Sequence, residues 1–307
     1  MHLISFLINS PINHTILSWS DPADERLEML GSLKRWQQLA RTYERGLFDG
    51  IFFADTPGVF DRYKERSDEA VRYGVCWPPH DPVVLLSALA AATERLGLAV
   101  TLSISANHPY QAVRSLSTLD YLSGGRIELG IGVGWLKEEF DALGIPFERR
   151  GKRADEYIAA MRALWASDGA SFAGEFVNFD KVNCNPKPVA RSVPIVVGGH
   201  SEAAARRAGR LGDGFFPSIG AQVDTLPLLD VVARSAEQAG RDPAMVELIL
   251  GCPGALPNSG VDPRAAVEER IARGVGRLAL PVTAFMPDLE TTLARFGEEI
   301  IKPYANA

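Results

Sequence analysis

The stretch that decides the fold is residues 194–216, PIVVGGHSEAAARRAGRLGDGFF. Three β-branched residues, Ile195–Val197, end at two glycines, and a helix-like segment begins after Ser201. Glycine permits a sharp turn and the close approach of another group because it has no Cβ. A serine at an N-cap and the first free N–H groups of a helix together form an anion site. The stretch predicts either an ordinary tight strand-to-helix turn or a phosphate-binding turn.

Short apolar runs and amphipathic segments alternate along the whole chain. The strand-like runs are Leu3–Ile8, Gly50–Ala54, Leu98–Ile104, Ile127–Val133, Pro194–Val197, Gly214–Pro217, Val246–Leu250 and Leu278–Pro281. The helix-like segments are Lys34–Arg45, Pro82–Arg95, Tyr110–Leu122, Ala154–Ala166, Glu202–Leu211, Leu226–Gln238, Pro263–Arg273 and Pro287–Ile301. Strands that alternate with helices predict βαβ units and a parallel sheet. About eight such units favour an α/β fold of the (β/α)8 TIM type, and we predict one domain over residues 1–307.

Two segments are longer than ordinary connections. Asp55–Asp81 follows strand two, and Ser167–Arg191 precedes strand five. Segments of this length in a compact domain are usually functional or carry strands of their own. We predict an insertion after strand two and a hairpin-like insertion before strand five.

The composition excludes several classes of protein. The formal net charge is -6, and the arginine pairs 149–150 and 206–207 are interpreted as solvated faces, which argues against a nucleic-acid surface. Three widely spaced cysteines indicate a reducing compartment rather than a disulfide framework or a zinc site. We expect a cytoplasmic protein, since no signal-peptide pattern or apolar run of membrane-spanning length is present.

A second motif, residues 119–135, reads LDYLSGGRIELGIGVGW. Its strand ends in glycines at positions 130, 132 and 134, which would let a flat ligand lie against the backbone. Close packing at the rim of the barrel is the alternative. A dinucleotide fingerprint is not favoured, because no helix follows at once and no acidic residue stands at the required spacing.

The order and spacing of motifs between Gly50 and Phe216 resemble the bacterial luciferase-like superfamily of flavin-dependent oxidoreductases. The motifs are SLSTLDYLSGGRIELGIGVGW, EEFDALGIPFERRGKRADEYIAAMRALW, NCNPKPV and VPIVVGGHSEAAARRAGRLGDGFF. The resemblance implies a TIM-type barrel that binds FMN or the deazaflavin F420 at its C-terminal face. The segment FDGIFFADTPGVFDRY is similar to the nitrilotriacetate and dibenzothiophene-sulfone monooxygenase branch, which uses reduced FMN and O₂. Residues Gly130–Trp165 resemble the branch often labelled F420-dependent.

The same resemblance implies which residues hold the flavin. The implied contacts are Asp55 near the isoalloxazine; Ser103, Ile104 and Ser105 beneath the ring; Gly132, Val133 and Gly134 beside it; and Gly198, Gly199, His200 and Ser201 at the phosphate.

His108 and Asp55 are the candidate catalytic residues. His108 follows strand three on the predicted catalytic face, where it could donate a proton or contact the substrate. The alternative is a histidine that begins a helix and bonds to nearby backbone. No cluster of His, Asp or Glu has metal-ligand spacing.

These observations favour a monooxygenase that oxygenates a small organic substrate through a flavin peroxide. Such an enzyme would use reduced FMN and O₂, receive its flavin from a separate reductase and form a homodimer. The alternative is an F420-dependent oxidoreductase that transfers hydride without oxygen chemistry. A non-enzymatic flavin-binding relative is disfavoured by the retained GGHS turn and Asp55, and a sugar-phosphate enzyme by the lack of a convincing catalytic Lys or Glu.

Overall fold

The computed structural model describes residues 2–8, 31–55, 66–68, 71, 80–104, 107–217, 224–257, 259–281, 285 and 288–304. Its strands are β1 (His2–Ile8), β2 (Gly50–Ala54), β3 (Gly97–Ser103), β4 (Ile127–Gly132), β5 (Ala170–Ala173), β6 (Asn178–Val182), β7 (Ile195–Gly198), β8 (Gly214–Phe216), β9 (Glu247–Gly251) and β10 (Arg277–Pro281). Its α-helices are α1 (Leu33–Arg45), α2 (Pro82–Ala90), α3 (Pro109–Ser123), α4 (Lys137–Leu143), α5 (Arg150–Ala166), α6 (Glu202–Leu211), α7 (Pro227–Gln238), α8 (Pro263–Ala272) and α9 (Leu289–Phe296).

Eight strands form a closed barrel in the order β1, β2, β3, β4, β7, β8, β9, β10, with each neighbouring pair parallel. The predicted (β/α)8 barrel is confirmed, and each predicted strand agrees with the structure to within one residue at either end. β5 and β6 pair antiparallel outside the barrel, within the segment that precedes β7. The predicted insertion after β2 lies largely outside the described residues. In the part of the chain that is described, no helix is long and apolar enough to cross a bilayer.

The helix boundaries correct the sequence prediction in several places. α2 ends at Ala90 instead of Arg95, because Arg126 donates from Nη2 to the Ala90 carbonyl at 2.8 Å and caps the helix from a distant part of the chain. α5 begins at Arg150 instead of Ala154, and the short helix α4 was not predicted. The last predicted helix divides into α9 and a π-helical turn over Gly297–Ile301.

The middle of the barrel is filled by an apolar layer. Because side chains alternate along a strand, the inward residues of the eight strands stack in layers. Phe52 and Phe216 meet edge to face in this layer, with ring centroids 5.2 Å apart and planes at 89°. Its buried members are Ile4, Phe52, Ala99, Val196, Phe216, Ile249 and Ala279.

The layer below, at the N-terminal end of the strands, is ionic. Arg277 on β10 donates from Nη1 to both carboxylate oxygens of Glu128 on β4, each at 2.9 Å, and from Nη2 to Glu247 on β9. Burial raises the pKa of Glu128, and the charge of Arg277 opposes that rise. Burial also works against the charge of Arg277, but the two carboxylates outweigh it and raise the pKa of the guanidinium. The three side chains close the N-terminal end of the barrel.

Candidate active site

The layer above the apolar core, at the C-terminal end of the strands, has small residues on five of the eight strands. The alternation that turns Phe52, Ala99 and Val196 inward also turns the last inward positions of their strands toward this space. Those positions on β2, β3, β4, β7 and β9 are Ala54, Ser103, Gly132, Gly198 and Gly251. These small residues leave a backbone-lined depression on one side of the face where TIM-type barrels carry their active sites.

Four neighbouring strands bring the predicted cofactor residues to one side of this rim. The strands β2, β3, β4 and β7 are consecutive in the barrel. Ser103 pairs with Gly132, and the Ile104 N–H donates to the Gly132 carbonyl at 3.2 Å. A Cβ on Gly198 would lie 3.5 Å from the carbonyl oxygen of Ile131 on β4. Residues far apart in sequence are thus adjacent in space.

The three glycines at the end of β4 serve different purposes. A Cβ on Gly130 would lie 2.8 Å from Thr101 Oγ1 and 2.9 Å from the Phe52 ring, so this glycine makes room for the apolar layer. A Cβ on Gly132 would meet nothing closer than Thr101 Cγ2 at 3.8 Å. Gly134 has a φ of +80°, and its missing Cβ leaves room for the ring of Phe140. Close packing accounts for positions 130 and 134, whereas a Cβ on Gly132 would make only ordinary van der Waals contacts with the described residues.

The turn after β7 has a backbone conformation that requires glycine at position 199. Gly199 has a φ of +124°, and a Cβ there would lie 3.0 Å from the Cβ of Ala204. Ser201 is the N-cap of α6, and its Oγ accepts the Ala204 N–H at 3.3 Å, as predicted. His200 and Ser201 are exposed. The remaining N–H groups of the first turn of α6 are available for an anion at the rim.

Ser103 carries a polar atom that the described protein atoms leave unsatisfied. The residue is buried, and its hydroxyl has no hydrogen-bond partner among the residues that the structure describes. The Oγ lies 3.1 Å from the position where a Cβ on Gly134 would stand. A buried hydroxyl without a partner costs about 1–3 kcal/mol, so a group bound at the rim would stabilise it.

The structure describes all but one of the other predicted site residues. Asp55, directly after β2, and Val133, directly after β4, are half-buried at the rim. Ile104 is buried. Ser105 lies outside the described residues. No group of three or more His, Cys, Asp or Glu that could hold a metal ion occurs in the described ranges.

His108 is the N-cap of α3, as the alternative interpretation of the sequence held. Its Nδ1 accepts the Tyr110 N–H at 3.3 Å, and the ring is exposed. An Nδ1 that accepts a hydrogen bond places the proton of the neutral ring on Nε2. The cap therefore leaves an N–H donor available to solvent or to a ligand.

Two arginines interpreted as solvated take part in the architecture around the rim. Arg207 is buried, pairs with Asp155 and donates to the Gly151 carbonyl at 3.0 Å, which joins α6 to the first turn of α5. Arg150 is half-buried and donates from Nε to the Gly134 carbonyl at 3.0 Å. Nothing in the local sequence distinguished these arginines from their exposed neighbours, since their partners lie on other elements.

The model of the luciferase-like monooxygenase family matches residues 13–295 of this chain. The protein therefore belongs to the luciferase-like monooxygenase family.

Individual relatives extend this result. The chain is 30% identical over 281 residues to the long-chain alkane monooxygenase of Geobacillus thermodenitrificans, covering 82% of this chain and 63% of that protein. A crystal structure of long-chain alkane monooxygenase superposes with a TM-score of 0.74 at 26% identity, covering 89% of this chain and 68% of that one. The FMNH₂-dependent dimethylsulfone monooxygenase of Pseudomonas putida is 37% identical over 167 residues, covering 51% and 45% of the two chains. The chain thus spans 63% and 45% of the lengths of these two curated relatives.

A reductase that depends on coenzyme F420 has the same fold. The coenzyme F420-dependent tetrahydromethanopterin reductase of Methanopyrus kandleri superposes with a TM-score of 0.69 at 15% identity, covering 89% of this chain and 96% of that one. At that identity the likeness concerns the fold alone.

Proposed function

We propose that the protein is a flavin-dependent monooxygenase that uses reduced FMN and O₂ to oxygenate a small organic substrate. The observation that carries the proposal is the rim itself, where four consecutive strands present small inward residues beside a glycine turn at a helix N-terminus. A flat ring system with a phosphate tail fits such a surface. The named FMNH₂-dependent and alkane monooxygenase relatives support reduced FMN over F420.

Residues of this chain would hold the two ends of the cofactor. Gly198, Gly199 and the exposed cap residues His200 and Ser201 would receive the phosphate at the first turn of α6. Ser103, Ile104, Gly132, Val133 and Gly134 would lie along the ring, with Asp55 at its edge. The unsatisfied Ser103 hydroxyl would then gain a partner on the flavin.

Bound reduced FMN would supply two electrons, with one oxygen atom of O₂ entering the substrate and the other leaving as water. The protein would position the flavin and the substrate, exclude water from the site and donate protons. Phe52 and Phe216 exclude water from below the rim. His108 is proposed as a proton donor or substrate contact through Nε2–H, and Asp55 as a catalytic residue beside the ring.

The proposal is tested by anaerobic titration of the purified protein with reduced FMN and, separately, with F420. We expect saturable binding of reduced FMN, followed by oxygen consumption when O₂ and a small organic substrate are admitted. Tight F420 binding with no affinity for reduced FMN would overturn the proposal in favour of hydride transfer.

We also propose a homodimer formed through α2 and α3, with a separate flavin reductase as partner in the cytoplasm. A groove of about 820 Å³ lies between these helices. Val84 on α2 and Leu122 on α3 border it with 69% and 77% of their surfaces exposed. Sedimentation velocity should give a dimer for the unaltered protein and a monomer for Val84→Glu; a monomer in both cases would contradict this part of the proposal.

A further inference from the structure

Three features of the described structure restrain His108. Pro109 follows it, which disfavours a helical backbone at His108, and the observed φ and ψ are −58° and 131°. Its Nδ1 accepts the Tyr110 N–H at 3.3 Å. The centroid of its imidazole lies 6.4 Å from the centroid of the Tyr157 ring, with the two ring planes at 54°. The first two restraints come from the neighbouring sequence, and the third comes from a different helix, α5.

Tyr157 belongs to the buried face of α5. Its side chain is 8% exposed and lies in the main hydrophobic core. A hydrogen bond of 2.9 Å from Trp165 Nε1 to Ser117 Oγ joins α5 to α3, the helix that His108 caps, and both partners are buried. The Tyr157 ring is therefore a fixed neighbour of a histidine that is itself exposed.

Tyr157 contributes its ring, and not its hydroxyl, to this contact. Within the described residues the hydroxyl forms no hydrogen bond. Burial raises the pKa of the phenol, and the charge of Arg153 opposes that rise only in part, so the side chain is neutral at neutral pH. A separation of 6.4 Å lies within the range of about 4.5–7 Å at which aromatic rings attract one another. A phenylalanine at this position should therefore make the same contact.

The orientation of the His108 ring matters because its two nitrogens differ. With Nδ1 on the Tyr110 N–H, the neutral ring carries its proton on Nε2. Rotation of the ring by half a turn would exchange the two nitrogens and remove the donor from its position. A single hydrogen bond of 3.3 Å restrains an exposed ring only weakly. The contact with Tyr157 adds the restraint that this hydrogen bond lacks.

We propose that Tyr157 is a positioning residue that holds the His108 imidazole so that Nε2–H serves as a proton donor. This inference rests on the proposed function, and it selects proton donation over substrate contact as the role of His108. Tyr157 acts on the reaction only through His108. Loss of its ring should therefore loosen the imidazole in the ligand-free protein, and it should slow the reaction only while His108 is present.

The first measurement is the rate at which diethyl pyrocarbonate acylates His108 in the ligand-free protein, followed by peptide mass spectrometry. The reagent attacks the unprotonated nitrogen of a neutral imidazole, which in His108 is the Nδ1 held by the Tyr110 N–H. Loss of one aromatic contact should raise this rate about two- to tenfold in Tyr157→Leu, whereas Tyr157→Phe should leave it unchanged. The exposed His200 is the internal control. Met161→Ala, at a buried position one turn further along α5, is the control for packing.

The second measurement is the oxidation of protein-bound reduced FMN by O₂ without an organic substrate, followed by stopped-flow absorbance. Two electrons and two protons then pass from reduced FMN to O₂, which yields oxidised FMN and hydrogen peroxide. We expect Tyr157→Leu to lower the rate constant about two- to tenfold and His108→Gln to lower it at least as much. The double variant should be no slower than His108→Gln, because a residue that acts through His108 then has nothing to position. Tyr157→Phe should restore the rate.

Equal acylation of His108 in Tyr157→Leu and the unaltered protein would overturn the assignment. An acylation rate raised as much by Met161→Ala would overturn it as well, since general loosening of α5 would then be the cause. Losses that multiply in the double variant would show that Tyr157 acts apart from His108. If Tyr157→Leu does not fold, Tyr157→Met takes its place in both measurements.

The two proposals fail in different ways. If His108→Gln oxidises at the unaltered rate, His108 is not the donor and the role given to Tyr157 is wrong, although binding of reduced FMN would still support the proposed function. Failure of the unaltered protein to bind reduced FMN would refute the proposed function, even if the acylation rates confirmed the ring contact.

Discussion

The two ends of the barrel are formed by the same eight strands but carry different kinds of residue. The N-terminal end holds Arg277 between Glu128 and Glu247, and the arginine pairs with both carboxylates. The C-terminal end has glycine at Gly132 and Gly198 and leaves the Ser103 hydroxyl unsatisfied within the described structure. The difference between ionic side chains at one end and small residues at the other fits the proposal that ligands bind at the C-terminal end.

The largest expected effect comes from breaking the ionic end. Arg277→Met leaves the mostly buried Glu128 and the half-buried Glu247 without their counter-ion, which should lower the free energy of unfolding by about 3 kcal/mol. The affinity of the folded fraction for reduced FMN should be unchanged. Chemical denaturation and anaerobic titration measure the two quantities separately.

The pH dependence of this variant follows from the direction of the Glu128 pKa, which is already raised by burial and loses the opposing charge of Arg277. A carboxyl whose pKa is raised in the folded state stabilises the fold at low pH and loses that contribution as the pH rises. The defect of Arg277→Met should therefore shrink as the pH falls. The double variant with Glu128→Gln should have a smaller pH slope, and an unchanged slope would contradict the role given to Glu128.

Two glycines on one strand sharpen the contrast between packing and binding. Gly130→Ala should destabilise the fold by about 1–3 kcal/mol, because its Cβ would press on Thr101 and Phe52. Gly132→Val should cost less stability, since its Cβ meets only ordinary contacts, yet it should weaken flavin binding by about a hundredfold by filling the depression. Thermal unfolding and flavin titration of both variants test the pair. Equal flavin affinity in Gly132→Val and the unaltered protein would show that the flavin ring does not lie against this position.

Two N-cap serines provide a smaller and closely matched comparison. Ser201 caps α6 at the rim, and Ser32 caps α1, where its Oγ accepts the Arg35 N–H. Each change to alanine should lower the free energy of unfolding by about 1 kcal/mol. A loss of flavin affinity is expected for Ser201→Ala alone. If the two variants bind flavin equally well, the turn is a structural corner and not a phosphate site.

The smallest effect is expected at Glu44, which lies beside the N-terminal end. Its Oε1 accepts the N–H groups of residues 94, 95 and 96, directly before β3. Burial alone would raise its pKa, but these backbone hydrogen bonds outweigh it and the pKa is lowered. Glu44→Gln should cost below about 1 kcal/mol at neutral pH, because the amide oxygen of Gln can still accept these N–H groups.

A lowered folded pKa stabilises the fold above the unfolded value, about 4.3, and this contribution is lost as the pH falls through the folded pKa. The stability difference between Glu44→Gln and the unaltered protein should therefore close in acid. A difference that stays constant down to pH 3, measured by denaturation across pH, would show that the hydrogen bonds and not the charge matter.

The sequence predicts the barrel well because its strands are buried on both faces and bounded by glycine, proline or charge. Its errors fall where a distant side chain decides the boundary. Arg126 ends α2 through the Ala90 carbonyl, and Arg207 covers the polar first turn of α5 that extends the helix to Arg150. Such contacts join elements dozens of residues apart, and no local pattern contains them.

The candidate site was predictable to the extent that it consists of strand ends. Gly132, Gly198 and Ser103 meet because parallel strands end at one face. Arg150 was not predicted to be half-buried beside Gly134, since a charged residue in a charged segment is expected to be solvated. Its partner is a carbonyl, a group that every residue carries and that gives no signal in a sequence.

The apolar layer of Phe52, Phe216 and their neighbours has one more consequence. It is an apolar partition between the carboxyl group of Glu128 and the rim where oxygen chemistry is proposed. Protons from Glu128 would have to cross this largely apolar layer. The reaction would therefore take its protons from the solvent side. The timing of its proton transfers would depend on how the rim is covered.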